Sequence, residues 1–411
     1  MTRRTMAGGA KKRPTRYTSA TPDDLALALH AHRKGDLAAA ADGYRAVIAR
    51  DPHALDAWMN LAAVAVIAGR SREAVASYRQ ARTLGGDIAR VERDAGIGLA
   101  ALGWLAPARE ALEHALALDP SQVGARLTVS RVCAQLGDDA AALDHARRAV
   151  DDAPDDPSTH LELYRAVLDD RDLAPAIEAA TTALRIDPDA MLARYFLSGA
   201  TRWSTGVSPE VSLVAPLRDA LDLVAHVRGP VTRSFASKRA TLEHALAASA
   251  VDGLVAEFGV RHGVSTRVLA SRASTVHAFD RFEGLPTAWA GRAPGAFSTD
   301  GEVPELPGNV VVHTGWFDDT LPGFVATHGA PLRLLHIDSD LYESARTVLA
   351  HMASFVVPGT VIVFDEYLGH TTWRDDEFRA FDEAARAHGW QVEYLALCWV
   401  TGQASVRIVA T

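Results

Sequence analysis

The chain has 411 residues, 48% of them hydrophobic and 23% charged. That is the composition of folded soluble domains and, at this length, of two or three cores rather than one. A formal net charge of −9 argues against a nucleic-acid-binding surface, which needs a basic patch to meet phosphates. No run of 18 apolar residues occurs and the first 30 residues lack the apolar core of a secretory signal, so the expectation is a cytoplasmic protein without a membrane span.

Residues 1–20 hold Arg3, Arg4, Lys11, Lys12, Arg13 and Arg16 among small and polar residues and read as a disordered basic tail. Elsewhere the basic residues are almost all Arg and Ala is abundant, which suggests a GC-rich bacterial genome. From residue 21 to 190 a period of 34 residues dominates. Gly35, Gly69, Gly103 and Gly137 mark it, and the next step falls on Arg171. Five residues after each stands an alanine (Ala40, Ala74, Ala108, Ala142, Ala176), and a second series of small residues runs Val47, Ala81, Ala115, Ala149, Ala183. Pro52, Gly86, Pro120, Pro154 and Pro188 close each period. Gly suits the turn between two helices, the small residues suit their close packing, and Pro ends the second helix.

This pattern resembles the tetratricopeptide repeat, with Trp58 where that family often carries its Trp. The resemblance implies about five repeats stacked into an all-α superhelix whose concave face holds a peptide or protein. Packing on the second domain and dimer formation are the alternative uses. Residues 191–236 stay helical but lose the period, and 213–227 reads as a capping helix; Gly229 and Pro230 set the domain boundary near 230. Cys133 and Cys398 match no metal spacing and read as buried thiols in a reducing compartment.

Residues 237–411 alternate strand and helix. A helix over 237–250 precedes strands predicted at 253–258, 275–279, 309–312, 332–337 and 360–364, with helices at 342–355 and 376–388 and two more apolar runs at 391–397 and 404–409. The runs at 332–337 and 360–364 are continuously apolar, as parallel strands covered on both faces are. The reading is a doubly wound, Rossmann-like α/β domain with its site at the carboxyl ends of the strands. The first strand runs into Glu257-Phe258-Gly259-Val260-Arg261-His262-Gly263, where Gly259 and Gly263 allow a ligand close to the backbone. Asp280 ends the second strand, placed to accept hydrogen bonds from ribose hydroxyls, with a helix cap as its ordinary role. Asp338-Ser339-Asp340 and Asp365-Glu366 end the fourth and fifth. Carboxylates converging on adjacent strand tips repel unless a cation sits among them, and oxygen ligands favour Mg²⁺, Mn²⁺ or Ca²⁺ over zinc. Helix capping is the alternative.

Four phrases then resemble the macrocin O-methyltransferase family: Glu257 to Gly263, Phe279 to Pro286, Gly315 to Pro322 and Asp338 to Ser344, followed by Pro358-Gly359 and Asp365-Glu366. The resemblance spans roughly residues 237–411 and implies a class I methyltransferase fold, S-adenosylmethionine as donor and Mg²⁺-assisted methylation of a sugar hydroxyl on a natural product. On the matching positions Asp338, Asp365 and Glu366 become metal ligands, and Glu257, Gly259, Gly263 and Asp280 cofactor contacts. That family usually carries Asp-Asp where this chain has Asp365-Glu366. Trp316 and Phe317 are placed to flank the adenine. His370, just past the fifth strand, is the candidate base, with Asp338 beside the reacting hydroxyl; an ordinary surface histidine is the alternative for His370. The loop over 284–308 is long enough to close over both ligands. Two other classes compete: a repeat scaffold whose second domain has lost activity, and a nucleotide-dependent oxidoreductase. The acidic set argues against the first, the missing third glycine against the second.

Overall fold

The computed structural model describes residues 22–411; the basic tail read over 1–20 lies outside them. Five helix pairs follow the 34-residue period: α1 (Pro22–Arg33) and α2 (Leu37–Arg50), α3 (Leu55–Ile67) and α4 (Ser71–Gly85), α5 (Ala89–Ala101) and α6 (Leu105–Leu118), α7 (Val123–Leu136) and α8 (Asp139–Asp152), α9 (Pro157–Val167) and α10 (Ala174–Ile186). Gly35, Gly69, Gly103 and Gly137 all take positive φ, from 71° to 82°, which turns the chain at the end of each first helix at little steric cost. Ala40, Ala74, Ala108 and Ala176 are wholly buried, because only a methyl fits where the paired helices approach. The closing prolines also act as acceptors. The carbonyls of Pro52, Pro120, Pro154 and Pro188 each take a hydrogen bond from the side chain six residues on, from Trp58, Arg126, His160 and Arg194 in turn. The first helices α3, α5, α7 and α9 lie side by side as one row.

Beyond the repeats, α11 (Met191–Thr205) and α12 (Ala215–Val227) continue the stack. α11 buries Tyr195, Phe196 and Trp203 in a core shared with the second half of the chain, where Trp203 packs on Trp399 at 5.3 Å. Trp399 Nε1 donates to Tyr164 Oη of α9 (2.9 Å), whose own hydroxyl donates to the Phe196 carbonyl.

The second half opens with α13 (Lys238–Ala248), β1 (Leu254–Phe258), α14 (Val264–Ala270), β2 (Val276–Asp280) and β3 (Val310–Thr314). It continues with α15 (Phe317–Thr327), β4 (Leu332–Ile337), α16 (Tyr342–Met352), β5 (Val361–Phe364), α17 (Glu377–His388), β6 (Gln391–Leu397) and β7 (Ala404–Ala410). The seven strands form one sheet in the order β3-β2-β1-β4-β5-β7-β6. β1 to β5 are parallel; β7 runs antiparallel beside β5, and β6 antiparallel beside β7. Every residue of β5 is buried, as its unbroken Val-Ile-Val-Phe run requires of a strand covered on both faces. The order reverses between β1 and β4, so the crevice between their carboxyl ends is where such a sheet takes a ligand.

The repeat array lies against that same carboxyl edge. Gly69 approaches Ser298 so closely that a Cβ there would stand 1.9 Å from the Ser298 carbonyl oxygen. Gly103 abuts Val264 and His262, and Gly137 abuts Arg239. Asp170, after α9, holds the Arg233 guanidinium at 2.7 to 3.0 Å and accepts from the Ser234 N–H. The two halves are one packed body. Among the described residues no helix is long and apolar enough to cross a membrane.

Candidate active site

The loops leaving β1, β2, β3 and β4 enclose a cleft lined by Gly259, Arg261, Asp280, Trp316, Asp338 and Asp340, among others. Gly259, at φ +100°, leaves no room for a side chain: a Cβ would stand 1.7 Å from the Asp338 carbonyl oxygen. Asp280 organises two of the loops. One carboxylate oxygen accepts from the N–H groups of Val260 and Arg261 (2.8 Å each), the other from that of Phe282 (2.7 Å). Such a carboxylate has about four acceptor positions, so the capping role and a role toward a ligand are compatible. Trp316 is 47% exposed on the cleft wall and the Arg281 guanidinium lies 4.0 Å from its ring. The segment 284–308 folds over the mouth through Gly284, Leu285, Pro286 and Phe297. It is tied down by Trp289 Nε1 donating to Asp376 (3.1 Å). Arg261, Phe282, Phe297 and Asp340 are non-glycine residues with positive φ, a concentration of strained backbone of the kind that ligand sites hold.

The acidic set adjoins this cleft. Asp338, Asp365 and Glu366 line it, and Lys238 at the start of α13 reaches into them. Its ammonium donates to Asp365 and lies 3.5 Å from Glu366. Gln403 Nε2 donates to the other Asp365 oxygen (2.7 Å). Behind them stands His336 of β4, fully buried, with Nδ1 3.0 Å from Glu257 and Nε2 3.8 Å from Asp365. Glu377 of α17, also fully buried, accepts from the backbone N–H groups of Ser339 (3.3 Å) and Glu366 (3.0 Å), so one carboxylate joins the tips of β4 and β5.

The charges divide unequally. Burial would raise the Asp365 pKa, but Lys238 and His336 hold it below the carboxylate range. Burial and the Asp365 charge push Asp338 well above its ordinary value and Asp340 up to about 6. Burial outweighs the Lys238 charge and lifts Glu366 to about 7. His336 reaches about 10, because Asp365 and Glu257 outweigh the burial that would lower it. The set therefore holds more carboxyl groups than resident cations, the condition a divalent ion relieves. Ligand atoms of His336, Asp338 and Asp365 all lie within 4.8 Å of one another, and His336 Nε2 is buried without a hydrogen-bond partner. The carboxylates fit a divalent cation, while His336, with its raised pKa, stands behind them as a charge partner of Glu257 and Asp365 rather than as a ligand.

Of the residues singled out from the sequence, Gly259, Asp280, Trp316, Asp338, Asp365 and Glu366 meet on one cleft. Glu257 lies behind it, bonded to His336, with one oxygen unpartnered. Gly263 is off the wall too, at the left-handed start of α14 (φ 72°). His370 is not among the residues lining the cleft: its Nε2 is bonded to the Glu366 carbonyl (3.0 Å), its Nδ1 lies 3.9 Å from Asp376, and burial lowers its pKa. Lys238, His336, Gln403 and Glu377 are further members of the site. Lys238 has a signal in the sequence, being one of four lysines in a chain of 42 Lys and Arg. Both cysteines are free and buried. Cys133 lies near Glu113 and His145, but Arg109 already holds Glu113 at 2.7 Å and burial raises the thiol pKa, so a thiol is what the surroundings favour.

Comparison with known proteins accords with this division of the chain. A family model described as a methyltransferase domain matches residues 256–367, and one described as a tetratricopeptide repeat matches residues 25–87 and 93–157. No curated protein matches. Among solved structures the chain is similar to the MamA protein (17% identity, 47% of this chain and 96% of that one, TM-score 0.38). It is also similar to YrrB, described as a TPR protein with an unusual peptide-binding site (20%, 44% and 91%, TM-score 0.38), and to PilF of Pseudomonas aeruginosa (20%, 44% and 82%, TM-score 0.39). The chain joins tetratricopeptide repeats in its N-terminal half to a methyltransferase domain.

Proposed function

We propose that the protein moves the methyl group of S-adenosylmethionine to a hydroxyl, most readily that of a sugar on a natural product or glycoconjugate, with help from Mg²⁺ or a similar divalent ion. The observation that carries this reading is the continuity of the Gly259–Asp280–Trp316 cleft with the acidic set at the tips of β4 and β5. In this reading Gly259 admits the donor to the backbone, Asp280 receives the ribose hydroxyls and Trp316 covers the adenine.

The sulfonium is already activated, so what the chain supplies is alignment and a proton acceptor. The hydroxyl oxygen forms its bond to the methyl carbon as the sulfur–methyl bond breaks, giving an ether and S-adenosylhomocysteine. Asp338 lines the cleft from the acidic side and is the residue proposed to receive the hydroxyl proton. A divalent ion held by Asp338, Asp365 and Glu366 would orient the hydroxyl and lower its pKa. Lys238 and Glu377 are positioning residues, one balancing Asp365 and the other fixing the two strand tips. His370, bonded to the Glu366 carbonyl, shapes the loop after β5.

Calorimetric titration of S-adenosylmethionine into the full chain tests the reading. Micromolar binding is expected, weakened at least about tenfold in Asp280→Asn, which keeps one acceptor oxygen for the loop N–H groups. A folded wild-type protein that does not bind the donor would remove the proposal.

A further inference from the structure

A second cavity, of about 640 Å³, opens on the other side of the acidic set. It lies within the roughly 300–1,000 Å³ range of small-molecule sites. Asp338, Asp365, Glu366 and Lys238 border both spaces. The far wall is not part of the methyltransferase domain. It is made by the first-helix row of the repeats, through Ser130 and Arg131 of α7 and Glu162 and Arg165 of α9.

The chemistry of that wall is specific. Glu162 is 3% exposed and already engaged: Ser130 Oγ lies 3.1 Å from one of its oxygens and 3.0 Å from the Ala142 carbonyl, and Arg131 Nε lies 3.2 Å from the other oxygen. Arg165 shares the same carboxylate from 3.7 Å and stands 5.0 Å over the Phe196 ring. Among the described residues the Arg165 guanidinium makes no hydrogen bond, although it is only 31% exposed. Arg131 spends only its Nε, on Glu162 and the Leu127 carbonyl, which leaves its two terminal nitrogens. Of the other charges on this side, Arg239 is held by Glu243 at 2.9 Å and Asp139 sits on the exposed rim. Two guanidiniums thus share one carboxylate on the cavity wall, Arg165 from the more buried side and Arg131, 55% exposed, from the open side. Forked N–H donors left over in a half-dry space match an oxyanion, which accepts two of them at once.

We propose that the repeat array forms the acceptor subsite of the methyltransferase, with Arg131 and Arg165 holding a phosphate or carboxylate group of the acceptor while its hydroxyl faces Asp338. This rests on the methyl-transfer reading and gives the repeats a role inside the active site. The cavity is sized for one small molecule or the end of a larger one, and the acidic border opposite repels the anion, so only one orientation is favoured.

The test uses the full chain saturated with S-adenosylhomocysteine and three probes: glycerol 3-phosphate, gluconate and, as a neutral control, glycerol. At least one anionic probe is expected to bind the wild type measurably in a calorimeter while glycerol does not, and which of the two binds distinguishes phosphate from carboxylate. Arg165→Gln and Arg131→Gln should each weaken that probe about tenfold, and Arg165→Lys should recover only part of the loss, because an ammonium keeps the charge without the fork. Glu162→Gln should tighten it several-fold, a direction that mere damage to the fold does not produce. Binding of S-adenosylhomocysteine should stay unchanged throughout. If it fails to bind the wild type, the methyl-transfer reading falls. If it binds while neither anion binds, while glycerol binds as well as they do, or while the variants match the wild type, the subsite assignment alone is overturned.

Discussion

The repeat turns at Gly35 and Gly69 are the same motif and do different work. Both glycines end a first helix in the left-handed region, at φ +79° and +75°. Around Gly35 no described residue beyond its chain neighbours comes within 4 Å of where a Cβ would stand, whereas Gly69 lies directly against the Ser298 backbone of the methyltransferase domain, with Gly103 and Gly137 following at Val264 and Arg239. One end of the array thus obeys the repeat pattern for its own sake, and the middle obeys it while also docking. A 34-residue period reports that a turn is needed; what the turn touches is decided by residues far along the chain.

Gly69→Ala should separate the two demands most sharply. It adds about 1–3 kcal/mol of backbone strain to a similar cost for forcing a methyl against the Ser298 carbonyl. The total is expected to be about 4 kcal/mol in chemical unfolding, with the midpoint of both halves shifted because they share a core. A loss confined to about 1–2 kcal/mol, the left-handed backbone penalty alone, would mean the docking seen at this turn is loose.

His262 offers the next largest effect. It is 8% exposed, its Nδ1 lies 3.3 Å from Ser71 Oγ at the start of α4, and burial, then Arg261 and Arg267, lower its pKa to about 4. A histidine with a depressed folded pKa is neutral when docked and must charge in acid. The unfolded chain therefore binds the extra proton first, and stability falls as pH drops from about 6.5 toward 4. The loss reaches roughly 3 kcal/mol at the acid end, since each tenfold difference in proton affinity between the folded and unfolded chain is worth about 1.4 kcal/mol. Unfolding measured at about pH 7 and about pH 4.5, on either side of the unfolded histidine's titration, should show this slope in the wild type and a flatter one in His262→Gln. Equal slopes would mean that the contact beside Gly103 opens before it titrates.

Much of the fold is legible in the sequence because its signals are local. The Gly and Ala registers of the repeats, the apolar run of β5 and the acidic strand ends each need only neighbouring residues to be read. Helix α15 is not legible, since Pro322 inside it argues against a helix on propensity alone. The site divides in the same way. Asp280, Asp338 and Asp365 end strands and are visible as such, whereas Lys238, Glu377 and Gln403 reach the acidic set from α13, α17 and the β6–β7 turn. Nothing in their own surroundings along the chain reports that approach. Glu257 is visible at the right strand end but not with its actual neighbour, because parallel register sets it beside His336 and a single sequence does not display register. The two arginines of α7 and α9 are the extreme case, ordinary surface residues of a repeat until the second half is laid against them.

The smallest expected effect is also the control for the largest. Gly35→Ala places its methyl within 4 Å of no described residue beyond its chain neighbours, so the left-handed backbone penalty remains, about 1–2 kcal/mol. That loss should appear as fraying of α1 and α2 in hydrogen exchange, with little change in the midpoint of the shared core, because the buried contacts of those helices lie with α3 in a cluster of their own. If Gly35→Ala instead costs as much as Gly69→Ala, the penalty at both turns is a property of the repeat itself. The contrast between a free turn and a docked one would then rest on geometry without energetic weight. A difference of several-fold between the two variants would make the middle of the array part of the methyltransferase domain's own stability.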